Sequence, residues 1–169
     1  MITLNSLPIN YEVLNDLYEH TDQSFCLNRV AVPLDEDSTR NYFLAVRSGI
    51  NNGMPFDAKG IFLDGKLIGK AERTIYEDGS AELDLIIRKE YCGNGYGTEA
   101  LNRFLTQAAQ CTSFCAYIES SNLPAVRVLE KSGFHAKRNF LADVMTPQNG
   151  TYALRTVEGT EYIREGEPQ

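Results

Sequence analysis

Residues 91–101 read Tyr91-Cys92-Gly93-Asn94-Gly95-Tyr96-Gly97-Thr98-Glu99-Ala100-Leu101, three glycines at alternate positions between an apolar run (Leu83, Leu85, Ile86, Ile87) and a strongly helical segment. A glycine-dense turn that feeds a helix exposes several backbone N–H groups at the positive end of the helix dipole, and that geometry binds phosphate. A P-loop would close on Gly-Lys-Ser/Thr, whereas this turn closes on Gly97-Thr98-Glu99. The dinucleotide fingerprint G-x-G-x-x-G is missed as well: counted from Gly93, Thr98 takes the last glycine's place and Gly97 falls one residue early.

The flanks set the architecture. Downstream, Ala100, Leu101, Phe104, Leu105, Ala108 and Ala109 lie on one face of a helix expected to end near Gln110. Phe114 to Ile118 reads as a short buried strand. Pro124 suits a first helical turn, with Ala125, Val128 and Leu129 on one face and Gly133 at the C′ position. Upstream, Gly60–Leu63 and Leu67–Tyr76 flank Asp64-Gly65-Lys66, a tight-turn signal, and Glu77–Ser80 turns the chain into Ala81–Ile87. Three antiparallel strands in succession conflict with a nucleotide-binding βαβ unit.

Nearer the N-terminus, Met1–Leu7 reads as a strand broken by Pro8, and Tyr11–His20 has helical spacing. Asp35-Glu36-Asp37-Ser38 marks the acidic start of a second helix, and Asn51–Pro55 is loop by composition. Ala136–Ile163 alternates as a terminal hairpin. The order β-α-α-β-β-β-α-β-α-β-β predicts a mixed α/β chain with one domain over residues 1–165 and a frayed tail over 166–169.

A length of 169 residues with 43% hydrophobic and 23% charged residues suits one buried core. The N-terminus lacks the basic and apolar regions of a signal peptide, and no apolar run approaches the ~18 residues of a membrane span. These features lead us to expect a soluble, cytoplasmic protein without a membrane partner. The net charge of −7 argues against a nucleic-acid partner and favours cationic ligands. Cys26, Cys92, Cys111 and Cys115 form no CxxC pair, and His20 and His135 stand alone, so reduced, mostly buried thiols and no metal site are expected.

Two segments in order resemble the GNAT superfamily of acyl-CoA-dependent N-acyltransferases. Its hallmark, (Arg/Gln)-x-x-Gly-x-(Gly/Ala), is approximated by Cys92-Gly93-Asn94-Gly95-Tyr96-Gly97. A second family segment is matched by Asn122-Leu-Pro-Ala125-Val-Arg-Val-Leu129-Glu130-Lys131-Ser-Gly133-Phe134. The resemblance covers roughly Gly60 to Phe134 and implies a single-domain α/β (α+β) fold. Its sheet would be mixed and mostly antiparallel, with a splayed central strand pair and about four helices. Within the family, the branch containing the ribosomal-protein N-terminal alanine and serine acetyltransferases also favours Gly-Tyr-Gly-Thr-Glu-Ala and Val-Leu-Glu-Lys.

The resemblance implies acetyl-CoA as co-substrate, without a metal, and an amine as acceptor: a small molecule or a protein N-terminus. Amides of Cys92, Gly93, Asn94, Gly95, Tyr96, Gly97 and Thr98 would hold the CoA pyrophosphate, with Gly95 and Gly97 providing close approach and positive φ. Leu85, Ile86 and Ile87 would offer backbone hydrogen bonds to the pantetheine arm. Asn122 is either a side-chain contact to that arm or the N-cap of the following helix. Aminolysis of a thioester needs a proton acceptor, for which Glu82 is the first candidate and Asp84 the second, against the reading that both are solvated hairpin charges. A backbone amide near Ile87 would stabilise the oxyanion.

Three positions depart from the family pattern: Cys92 replaces Arg or Gln, Leu129 the usual tyrosine acid, and Ala125 the serine of the ribosomal-protein branch. Cys92 is either a small turn-filling residue or a thiol activated by the helix N-terminus. With Leu129 and Ala125 unable to donate, water, Tyr117 or Tyr152 is left to protonate the thiolate. The absent residues also support an alternative, a non-catalytic acyl-CoA-binding module. A toxin that acetylates aminoacyl-tRNA conflicts with the acidic charge. The resemblance leaves room for a homodimer paired through terminal strands.

Overall fold

A computed structural model describes residues 1–21, 35–108, 110–148 and 151–166, with the side chains of 145–148 and 151–152 excepted. Cys26, Ala109, the Tyr152 side chain and most of the tail assigned to 166–169 therefore lie outside the described residues. The elements are β1 (Ile2–Ser6), α1 (Tyr11–Glu19), α2 (Glu36–Ser48), β2 (Ile50–Asn51), β3 (Met54–Leu63), β4 (Lys66–Ile75), β5 (Ser80–Ile87), a 3-10 turn (Lys89–Tyr91), α3 (Tyr96–Thr106), β6 (Ser113–Glu119), α4 (Leu123–Lys131), β7 (His135–Gln148) and β8 (Thr151–Glu165). The strands form one sheet in the order β1-β3-β4-β5-β6-β8-β7, with β2 paired to β3. Its ladders are antiparallel except β5–β6.

That parallel pair is short. β5 and β6 share rungs only at Ser80–Ser113, Ala81–Phe114 and Glu82–Cys115, after which β5 continues to Ile87 and β6 to Glu119 without pairing. The sheet therefore opens into a V whose vertex is the Glu82–Cys115 rung.

Helices cover both faces. Ala81 and Leu83 of β5, Ala71 of β4, and Phe114 and Ala116 of β6 bury against Ala100, Leu101, Phe104 and Leu105 of α3 and Leu129 of α4. On the opposite face Ile86 packs with Leu14, Leu17 and Tyr18 of α1 and Phe43 of α2. The helices start as the sequence predicts: Asn10 Oδ1 accepts from the Val13 amide at 3.2 Å, and Asp35 Oδ1 from the Ser38 amide at 2.7 Å. The segment Leu129-Glu130-Lys131-Ser132-Gly133-Phe134 forms a Schellman stop for α4. The Phe134 N–H donates to the Leu129 carbonyl, the Gly133 N–H to that of Glu130, and Gly133 has φ 84°.

Two element boundaries differ from expectation. Asn51–Pro55 is a hairpin rather than a loop: Asn52-Gly53 makes the turn and Pro55 already pairs with Ile50. α3 ends at Thr106, not near Gln110, and the chain continues through turns in which Cys111 donates to Ala108.

Gly69 shows how tightly the cleft wall is built. A Cβ there would lie 2.3 Å from the Ile86 carbonyl oxygen, which is backbone and cannot swing aside. Gly69→Ala is expected to destabilise the protein by about 3 kcal/mol through overpacking, read as a lower unfolding midpoint in denaturant at unchanged slope.

Candidate active site

The turn before α3 has the form that phosphate binding requires. Gly93 and Gly95 adopt φ of 81° and 83°, and a Cβ at either would meet nothing within 4 Å, so both amide surfaces border open space. Gly95 is the N-cap of α3 and supplies no side-chain cap, which leaves the first-turn N–H groups available to a ligand. Gly97 corrects the sequence reading: it lies inside the helix without positive φ, and its place is set by contact, since a Cβ would sit 3.4 Å from Val128 on α4. Asn94 braces the turn, its side-chain amide donating to the carbonyls of Cys92 (3.1 Å) and Tyr91 (3.3 Å).

Cys92 is exposed, and its thiol faces the carbonyls of Arg88 at 3.5 Å and Ile87 at 3.8 Å. Carbonyl oxygens do not stabilise a thiolate, which supports the turn-filling role. Among the described cysteines only Cys111 is buried, so the expectation of mostly buried thiols does not hold.

Asn122 caps α4 through Oδ1, which accepts from the Ala125 amide at 3.2 Å. Its Nδ2 is buried and has no partner. A buried donor left unpaired is costly, and a carbonyl of an extended ligand would satisfy it. Oδ1 serves the cap, and Nδ2 is left over.

Glu82 and Asp84 lie on the face of β5 opposite Leu83 and Leu85, because side chains alternate along a strand. Glu82 stands at the vertex and accepts from the Tyr76 hydroxyl at 2.6 Å. That bond to the carboxylate, with burial, pushes the Tyr76 phenol well above its ordinary pKa, so it stays a donor. Asp84 lies one step along the open wall, cross-strand from Glu72. Across the V, Cys115 and Tyr117 share this face. Burial and the nearby Glu82 carboxylate raise the Cys115 thiol to about 11, which makes it a poor nucleophile at neutral pH. Burial chiefly, then Cys115 and Glu161, raises Tyr117 to about 12. Such a phenol stays protonated at neutral pH and is a hydrogen-bond donor on this wall of the V.

A buried charged cluster under α1 and α2 escaped sequence reading. Lys70 and Glu72, each almost inaccessible, form an ion pair on β4. The Tyr42 hydroxyl donates to Glu72 at 2.5 Å, and the Lys70 ammonium lies 5.0 Å and 5.3 Å from the ring centroids of Tyr42 and Tyr18. The cluster ties both helices to the sheet beside Asp84. On the far side of α1, Arg88 pairs with Asp16 just before the glycine turn.

Among the described residues no group of three or more His, Cys, Asp or Glu could hold a metal ion. No helix among them is long and apolar enough to cross a membrane.

Comparison with known proteins agrees with this geometry. A family model described as "Acetyltransferase (GNAT) domain" matches residues 7–135. No curated protein sequence matches the chain significantly. Solved structures similar in fold include a ribosomal L7/L12 alpha-N-protein acetyltransferase in complex with coenzyme A, with 15% identity, a TM-score of 0.75, and coverage of 98% of this chain and 94% of that one. A ribosomal-protein-alanine N-acetyltransferase from Brucella melitensis has 18% identity and a TM-score of 0.69, covering 98% and 99%. A spermidine N-acetyltransferase from Vibrio cholerae in complex with CoA and spermine has 18% identity and a TM-score of 0.72, covering 97% and 95%.

Proposed function

This chain belongs to the GNAT acetyltransferase family, and on that premise we propose that it moves an acetyl group from acetyl-CoA to a primary amine by direct transfer in a ternary complex. The observation that carries the proposal is the junction of two halves at one opening. An uncapped glycine cradle lies on the α3 side, and a carboxylate pair lies on the α1/α2 side of the same V.

In this reading the amides of Cys92–Thr98 hold the pyrophosphate, Asn122 Nδ2 and the outward backbone groups of Leu85 and Ile87 hold the arm, and the thioester reaches the V. Ile86, expected beside them, turns its carbonyl to Gly69 of β4 and is committed to the sheet. The amine enters from the α1/α2 face. Its nitrogen attacks the thioester carbonyl, the C–N bond forms and the C–S bond breaks, while Glu82 takes the amine's proton directly or through water. The Ile87 amide faces the developing oxyanion. Leu129 and Ala125 have no proton to give, so the departing thiolate takes its proton from water, Tyr117 or Tyr152. Asp84 flanks the amine as a second carboxylate. β7 forms one outer edge of the sheet, which supports pairing between two copies; sedimentation velocity reads the state.

Thiol release from acetyl-CoA across a panel of amines tests the reading. Amine-dependent release supports it. Saturable acetyl-CoA binding with no release for any amine would favour a binding module instead.

Asn122→Asp separates the two ends of that side chain. The carboxylate still caps α4 and suits the helix dipole, so stability is retained. With the Nδ2 donor gone, acetyl-CoA affinity should fall about tenfold. Calorimetric titration beside a thermal melt reads both quantities, and unchanged affinity would leave Asn122 a cap alone.

A further inference from the structure

The sheet face that carries Glu82 continues past the V, over β6, β8 and β7, and there two exposed cations gather at one buried carboxylate. Opposed residues share a face, so Tyr117, Glu161 and Arg138 lie in register across β6, β8 and β7. The β7–β8 ladder slips between Ala136 and Arg138, and the extra residue brings Lys137 to the same carboxylate as Arg138. Glu161, only 5% exposed, accepts from Lys137 at 3.4 Å and pairs with Arg138. The Arg138 guanidinium holds the Glu161 carboxyl below its ordinary pKa. One buried carboxylate thus anchors two cations whose side chains remain 53% and 63% exposed. Farther along the same face Arg155 pairs with Glu119, and the Phe140 ring stands edge-on to Tyr117 at 5.8 Å.

A lone cross-strand ion pair would need one cation. The bulge supplies two, leaving surplus positive charge beside Tyr117, while Glu82 and Asp84 supply negative charge at the V. We propose that this polarised face selects acceptors that carry an anionic group, with Lys137 and Arg138 binding the anion while Glu82 and Asp84 receive the amine. The inference rests on the transferase reading above and deepens it. The Arg138 guanidinium pairs with Glu161 of β8, two strands from β5, which separates the two subsites by at least about 10 Å. An extended peptide rises about 3.3 Å per residue, so an acidic side chain about two or three residues beyond a free N-terminus meets this span. A small amino acid of similar length has the same chemistry.

The test measures kcat/KM for thiol release with the full-length chain on two probe sets. One is aminocaproate, hexylamine and diaminohexane. The other is a set of pentapeptides beginning with alanine and carrying Asp, Asn or Lys at the third position. The expected result is a preference of about tenfold for the acidic member over the neutral one, with the cationic member poorest. An advantage confined to the peptides assigns the anion to a polypeptide acceptor, and one confined to aminocaproate assigns it to a small molecule. Arg138→Gln should collapse the acidic-to-neutral ratio toward one, and Arg138→Glu should invert it. A preference for diaminohexane or the Lys peptide, or a ratio indifferent to both Arg138 variants, would overturn the proposal and reduce the cluster to a structural ion pair. Turnover of no probe despite acetyl-CoA binding would fail the transferase reading itself, and the acceptor assignment with it.

Discussion

Gly95→Glu is expected to lower acetyl-CoA affinity by about a hundredfold, some 2.8 kcal/mol, while the protein stays folded. The Cβ at this position enters open space, so no protein atom is displaced. The folding cost is the left-handed backbone alone, about 1–2 kcal/mol for a residue with a Cβ. The effect on the ligand is far more direct. Gly95 is the N-cap of α3, and its amide surface borders the place where a pyrophosphate would lie. A carboxylate there meets the phosphates with like charge and competes for the first-turn N–H groups. Gly95→Ala pays only the strain and should lose much less affinity. Calorimetric titration of both variants, beside thermal melts, checks the pair. Equal affinity for Gly95→Glu and wild type would remove the cradle from the donor site.

Glu82→Gln is expected to reduce kcat/KM for acetyl transfer by about a hundredfold or more, within the range for loss of a general base. Glutamine can still accept from the Tyr76 hydroxyl that holds Glu82 at 2.6 Å, so geometry survives and basicity does not. Acetyl-CoA affinity should be unchanged, because Glu82 lies on the face away from α3. Asp84→Asn should cost less, since Asp84 sits beyond the vertex on one wall only. Steady-state kinetics on both variants reads the difference. A Glu82→Gln enzyme with full activity beside a crippled Asp84→Asn would exchange the two roles.

Much of this was legible in the sequence because local chemistry carried it. Asp35 opens the acidic start of α2, and Asn122 caps α4 as one of its two readings has it. Gly133-Phe134 ends α4 through backbone hydrogen bonds that require a glycine. The alternate glycines of 93–97 announce the cradle, although Gly97 turned out to be a contact point rather than a turn residue. Features that rest on distant packing were not legible. Lys70 and Glu72 alternate with small residues as they would on a solvated strand, and only the docking of α1 and α2 reveals that they are buried. The β7 bulge that brings Lys137 and Arg138 to one carboxylate has no local signature, since it depends on the register against β8. Asn51–Pro55 reads as loop by composition, although Asn52-Gly53 carries a local two-residue hairpin signal, both residues having positive φ.

The central claim is that one opening in the sheet joins a donor cradle to an amine-facing carboxylate. Thiol release from acetyl-CoA, measured with and without amine acceptors on the wild-type chain, tests it most directly. Saturable, amine-dependent release that Gly95→Glu weakens through KM for acetyl-CoA and Glu82→Gln weakens through kcat is the predicted result. Release that is independent of amine, or indifferent to both substitutions, would contradict it.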